Sequence, residues 1–180
     1  MNIEDKIQQS ERDFREEVLP EIRDWFPDEG EIIAVEGNAT DKMRKMLDMH
    51  AGVDAFLVRP GIGVRGIANR VRYGNRYRRT FTISAPDENA NHPSAFEKRV
   101  TAVQSDYVMP YWMVTAFFDE RGGELLRVGM CKVKDLISQI SHGTKGRDYV
   151  LKTPRGRRNF YSVEWNMMSP DDVQIREFDV

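Results

Sequence analysis

The sequence predicts an α+β fold, a central mixed or antiparallel sheet with flanking helices. Three observations predict it. Apolar residues at helical spacing open the chain. Runs with β-branched and aromatic residues at alternate positions follow between 53 and 84. A capped helix and further strand-like runs come after them. With 180 residues, 40% of them hydrophobic and 10% aromatic, the chain suits one core. Residues 1–30 read as an acidic, helical N-terminal extension, and 31–180 as a single core domain carrying a basic hairpin.

In order, Ile3, Ile7, Phe14, Val18, Ile22 and Trp25 fall near a helical period. Pro20 lacks an amide hydrogen and clashes with the preceding turn, so two helical pieces are expected, 3–18 and 20–26. Their opposite face is acidic and reads as solvated. This extension is expected to be dispensable for the core. Glu31 to Val35 can form a short strand. Thr40 is a candidate N-cap for a helix bearing Met43, Met46 and Leu47 and ending by Gly52. Strands are expected at 53–59, 64–73 and 78–84, with Pro60-Gly61 and Gly63 turning the first into the second. Ser94-Ala95-Phe96-Glu97 is a capping box, and Phe96, Val100 and Val103 form the buried stripe of the helix it starts. Tyr111 to Phe118 and Leu125 to Val133 read as strands, Asp135 to Ile140 as a short helix. Tyr149 to Lys152 and Asn159 to Trp165 read as a last strand pair.

The net charge of −2 hides strong segregation. Residues 1–31 hold eleven acids against four basic residues. From Ala55 to Pro86 there is no acid, but seven arginines: Arg59, Arg65, Arg70, Arg72, Arg76, Arg78 and Arg79. Lys145, Arg147, Lys152, Arg155, Arg157 and Arg158 add a second basic stretch against Asp148 alone. Arginine interleaved with tyrosine, as from Arg72 to Arg79, suits phosphate forks and base stacking. Arg65, Arg72, Arg76, Arg78, Arg79, Arg155, Arg157 and Arg158 are therefore the candidate nucleic-acid contacts, with DNA or RNA as partner. Cys131 is single, which excludes an internal disulfide and a cysteine metal cluster. No apolar run approaches a membrane span and the N-terminus is too acidic for a signal peptide, so no membrane partner and a cytoplasmic location are expected. His50, His92 and His142 lack metal-ligand spacing, and Ser94 is explained by capping. Gly61-x-Gly63 sits in a hairpin turn rather than before a helix, which argues against a dinucleotide loop.

Side chains two apart on a strand share a face. Asp54, at the start of one strand, can thus meet Arg70, midway along the next. The preceding helix, Asp48-x-x-x-Gly52-x-Asp54, the turn, the second strand and the helix beyond resemble the PD-(D/E)XK nuclease superfamily over roughly residues 36 to 120. The resemblance implies a restriction-endonuclease-like α-β-β-β-α-β core. It implies Asp54 as the first acid, and a second motif falling on Ala68-Asn69-Arg70. There Ala68 stands in place of the second ligand and Arg70 in place of the lysine. It further implies Asp54 and Arg70 as catalytic residues. Magnesium or manganese would be held by Asp54 with Asp48, or with Asp41 or Glu36. Arginine keeps the lysine's charge but does not move a proton. The expected function is a nucleic-acid-binding protein on a nuclease-like core, with metal-dependent phosphodiester cleavage as its chemistry. The alternatives are a non-catalytic nucleic-acid-binding protein and a protein-interaction module whose acidic and basic faces pair between subunits, as in a homodimer.

Overall fold

The computed structural model describes residues 3–26, 30–35, 52–61, 63–74, 78–87, 93–105, 110–142, 150–152 and 159–178. It is an α+β structure built on two sheets. The helix α1 (Ile3–Asp13) runs into a π turn, Phe14–Val18, then a short α2 (Leu19–Glu21) and a 3-10 turn, Arg23–Trp25. The π turn explains how the chain absorbs Pro20 without stopping. The Leu19 N–H donates to Phe14 O, five residues back, and Pro20 follows where it has no amide hydrogen to offer.

The strands are β1 (Glu31–Ala34), β2 (Ala55–Arg59), β3 (Gly63–Tyr73), β4 (Thr80–Ser84), β5 (Pro110–Phe118), β6 (Leu125–Lys132), β7 (Val150–Lys152), β8 (Asn159–Glu164) and β9 (Val173–Glu177). Two more helices are α3 (Ala95–Ser105) and α4 (Val133–His142). The main sheet has six strands in the order β1-β2-β3-β5-β6-β9, and β4-β8-β7 form a second sheet. Among the described residues only β3 and β5 pair in parallel, because the chain returns between them through β4 and α3; the other described pairs are antiparallel.

The expected meander of 53–59, 64–73 and 78–84 is corrected. The three consecutive antiparallel strands are β1, β2 and β3, while β4 leaves the sheet to pair with β8. Phe81 and Ile83 on β4 are buried in the second sheet's own interface with the main one, which rewards that departure. β9 was not expected; its half-exposed pattern carries little hydrophobic signal. The helix expected from Thr40 lies outside the described residues up to the Gly52 expected to end it.

The main sheet buries both faces. Trp112, Val114, Ala116 and Phe118 of β5 point to one face, Met113 and Phe117 to the other. The first face is covered by Phe14, Val18, Ile22 and Phe26, packed with Leu57 and Ile67. The N-terminal segment, expected as a separate extension, is therefore the lid of the core. The second face meets α3, α4 and the second sheet, through Leu136, Ile140, Phe81, Val163 and Trp165.

Candidate functional site

The site begins where β2 begins. The Asp54 N–H donates to Ile67 O at 2.9 Å, and Asp54 O accepts from the Val35 N–H at 3.0 Å. Its carboxylate then continues the ladder by accepting the Asn69 N–H at 2.7 Å. Ala55 pairs with Ile67, and both face the N-terminal helices. One residue away, Asp54 and Ala68 must face the opposite side, toward α3, and so must Arg70 and Arg72. The expected juxtaposition of Asp54 and Arg70 thus follows from the register.

Arg70 is largely withdrawn from water. Burial lowers its pKa, and the nearby Asp54 charge opposes that shift. Arg72 donates to Thr82 Oγ1 at 2.7 Å. Its pKa is lowered to about 10 by burial, then by repulsion from Arg70 and Arg78. The third member, Arg99 of α3, is only 5% exposed. Burial first and Arg70 second lower its pKa to about 10, with Asp54 acting against them. Arg99 Nε and Nη1 are buried without an acceptor, as is the Oγ1 of Thr115, the β5 residue paired with Arg70. A guanidinium group keeps its proton in proteins, so all three are cationic; Asp54 is the carboxylate charge near Arg70 and Arg99.

Two cavities meet here. The larger, about 910 Å³, is lined from α1 and from residues of both faces of β3, by Glu11, Arg12, Arg15, Asp54, Asn69, Arg70 and Arg72 among others. The smaller, about 180 Å³, is lined by Gly52, Asp54, Asn69, Arg70, Lys98 and Arg99, with Ala95. Asp54, Asn69 and Arg70 belong to both walls.

The described donor set does not fit a divalent metal. Asp54 is one carboxylate, with an oxygen engaged by the Asn69 amide and guanidinium groups as its neighbours. Position 68 is a buried alanine. Among the described residues no group of three His, Cys, Asp or Glu side chains converges to hold an ion. Asp48, the other ligand expected from the sequence, lies outside the described residues, as do Asp41 and Glu36.

The basic hairpin does not form one surface. Arg65 pairs with Leu57 and faces the N-terminal side, with its guanidinium 4.2 Å from the Tyr111 ring centre. Arg70 and Arg72 face the other way, and Arg78, exposed beyond β3, is close enough to repel Arg72. Arg79 is tied to Glu177, with Nη2 2.8 Å from Oε2. Arg76, Arg155, Arg157 and Arg158 lie outside the described residues. Ser94 caps α3 as expected: its Oγ accepts the Glu97 N–H at 3.2 Å, and Glu97 accepts the Ser94 N–H at 2.7 Å.

Sequence reasoning missed Arg99 and Lys98. The signal was present: Arg99 lies three residues after Phe96, inside the apolar stripe of α3, where a charge is costly unless it has a task. No helix among the described residues is long and apolar enough to cross a membrane. No protein-family model matches the chain, and no curated protein matches it in sequence.

Proposed function

We propose that the protein binds nucleic acid, without cleaving it, on the face formed by Arg70, Arg72, Arg78 and α3. The observation that carries this reading is the gathering of cations on two adjoining cavities that share Asp54 and Arg70: Arg72 lines the larger, where Glu11 is the other carboxylate, and Lys98 and Arg99 line the smaller. Holding several guanidinium groups in low-dielectric surroundings is unfavourable unless an anion completes them. A polyanion with phosphates at regular spacing does so, and Arg is the side chain best shaped for phosphate.

The nuclease-like character of the core has support in the element order. α1 is followed by the antiparallel β1-β2-β3, then by α3 and by β5 parallel to β3, with β4 inserted. This is an α-β-β-β-α-β order, with Asp54 opening the second strand and Arg70 on the third. The departures at Ala68 and Arg70, and the lack of a donor set for magnesium or manganese among the described residues, support the non-catalytic form of the reading.

Binding is expected to be dominated by phosphate contacts, hence weakly sequence-specific and steeply salt-dependent between about 50 and 200 mM salt. Fluorescence anisotropy with labelled DNA and RNA oligonucleotides measures it. Arg72→Ala with Arg78→Ala should reduce the slope of log affinity against log salt by about two, near one per lost phosphate contact. Arg65→Ala, on the opposite face, should leave the slope unchanged. A folded double variant with unaltered affinity and slope, or a larger loss from Arg65→Ala, would move the binding surface elsewhere.

A further inference from the structure

The proposed binding face continues into a feature that a strand merely crossing the surface does not require. Beside the larger cleft, the small pocket is walled by Gly52, Asp54, Arg70, Lys98 and Arg99. Arg99 is nine-tenths and more buried, with Nε and Nη1 lacking any acceptor. Its Nη2 would lie 3.7 Å from a Cβ at position 52, and the φ of +61° there favours glycine. Glycine therefore leaves the approach to that nitrogen uncovered.

Size and charge then select the occupant. A volume of about 180 Å³ is below the usual range for whole small-molecule ligands. One water needs only about 10–15 Å³ of such space, so the pocket has room for a phosphate group and some hydration. Arg70, Lys98 and Arg99 against Asp54 leave a net charge of +2 on the walls. A phosphodiester brings one negative charge and needs an exit for the chain on both sides. A phosphate monoester brings about −1.5 to −2 at neutral pH, three acceptor oxygens and a single attachment. The larger cleft shares the Asp54–Asn69–Arg70 wall and offers room for the chain that such an end terminates.

We infer that the small pocket receives the terminal phosphate monoester of a nucleic-acid strand whose next phosphates lie along Arg72 and Arg78. The inference rests on the nucleic-acid reading above and names the part of the ligand that this site takes.

Oligonucleotides of one sequence, ending in 5′-phosphate, 3′-phosphate or hydroxyl only, separate the possibilities by anisotropy at fixed salt. One phosphorylated end should bind about tenfold or more tightly than the hydroxyl form, the range expected of a charge-assisted contact made or missing. Arg99→Met should erase that ratio, and Lys98→Ala should reduce it. Arg72→Ala with Arg78→Ala should weaken all three probes alike and keep the ratio. Circular dichroism and thermal melting establish that Arg99→Met folds; should it not, Lys98→Ala carries the test. Equal binding of the three ends by the unmodified protein would remove the end pocket and leave the nucleic-acid face standing. Absence of binding to every probe would remove both. An end preference that survives in folded Arg99→Met and in Lys98→Ala would place it on other residues.

Discussion

Asp54 has two duties at the scale of a single residue, and they pull in opposite directions. Its carboxylate closes the β2–β3 ladder by accepting the Asn69 amide, and it is the charge that offsets Arg70 and Arg99. It also repels any phosphate that approaches those arginines. Asp54→Asn retains an oxygen for the Asn69 amide but removes the charge. Stability is expected to fall by about 1–3 kcal/mol, since buried guanidinium groups lose their counter-charge. Affinity for oligonucleotides should rise or hold. Urea unfolding and anisotropy on the same sample measure the two. Plasmid incubated with magnesium, manganese or chelator should stay intact in each case. Metal-dependent nicking that vanishes in Asp54→Asn would overturn the non-catalytic reading and make Asp54 a ligand. Buried Cys131, whose thiol is pushed up by burial and by Asp135, stays neutral beside Arg99 and takes no part in the charge balance.

Among the elements, the N-terminal helices have a role that their composition conceals. Their acidic face is solvated, but the inner face supplies Phe14, Val18, Ile22 and Phe26 to the core, and Phe26 meets Trp112 edge-on at 5.2 Å. A partly buried hydrogen bond adds to this, from Tyr73 Oη to Asp13 Oδ2 at 2.6 Å. Burial and that bond raise the Tyr73 pKa, so the phenol remains a donor at any physiological pH. Ile22→Ala should cost about 2–5 kcal/mol, since the side chain is fully buried and the sheet beneath cannot collapse into the space. A chain beginning at residue 30 should fail to melt cooperatively. Cooperative melting of the shortened chain would mean that the sheet is stable with its N-terminal face open.

The two largest cores among the described residues lie on either side of one sheet and are joined through β5, which is buried on both faces. The second sheet docks onto the main one at a point that requires a missing side chain. Trp165 stacks directly over Gly129, and a Cβ there would collide with the indole. The same indole contacts Phe81 of β4 and Phe117 of β5, each with ring centres 5.8 Å apart. Gly129→Ala should therefore lower stability by about 1–3 kcal/mol and disturb the β4–β8 docking together with it. Tryptophan fluorescence and the melting temperature report the change. A variant as stable as the parent would mean that Trp165 can shift without cost. Arg72 is bound to Thr82 of β4, so loosening that docking should weaken oligonucleotide binding as well.

Local periodicity by itself determined the α+β class, the positions of most helices and strands, the capping box at Ser94 and the candidacy of Asp54 and Arg70. Each depends on residues close in sequence, where side-chain spacing and backbone propensity act directly. Tertiary structure decided the rest. The N-terminal helices became part of the core because their apolar stripe matches the face left open by β2, β3 and β5. β4 joined another sheet because strand pairing is a contest between distant partners, which no local pattern decides. The arginines of the hairpin divided between two faces because the side-chain period of a strand sends odd and even positions apart. Arg99 reached Arg70 and Asp54 only through the crossover that lays α3 on the sheet, a contact between residues far apart in the chain that only packing could create.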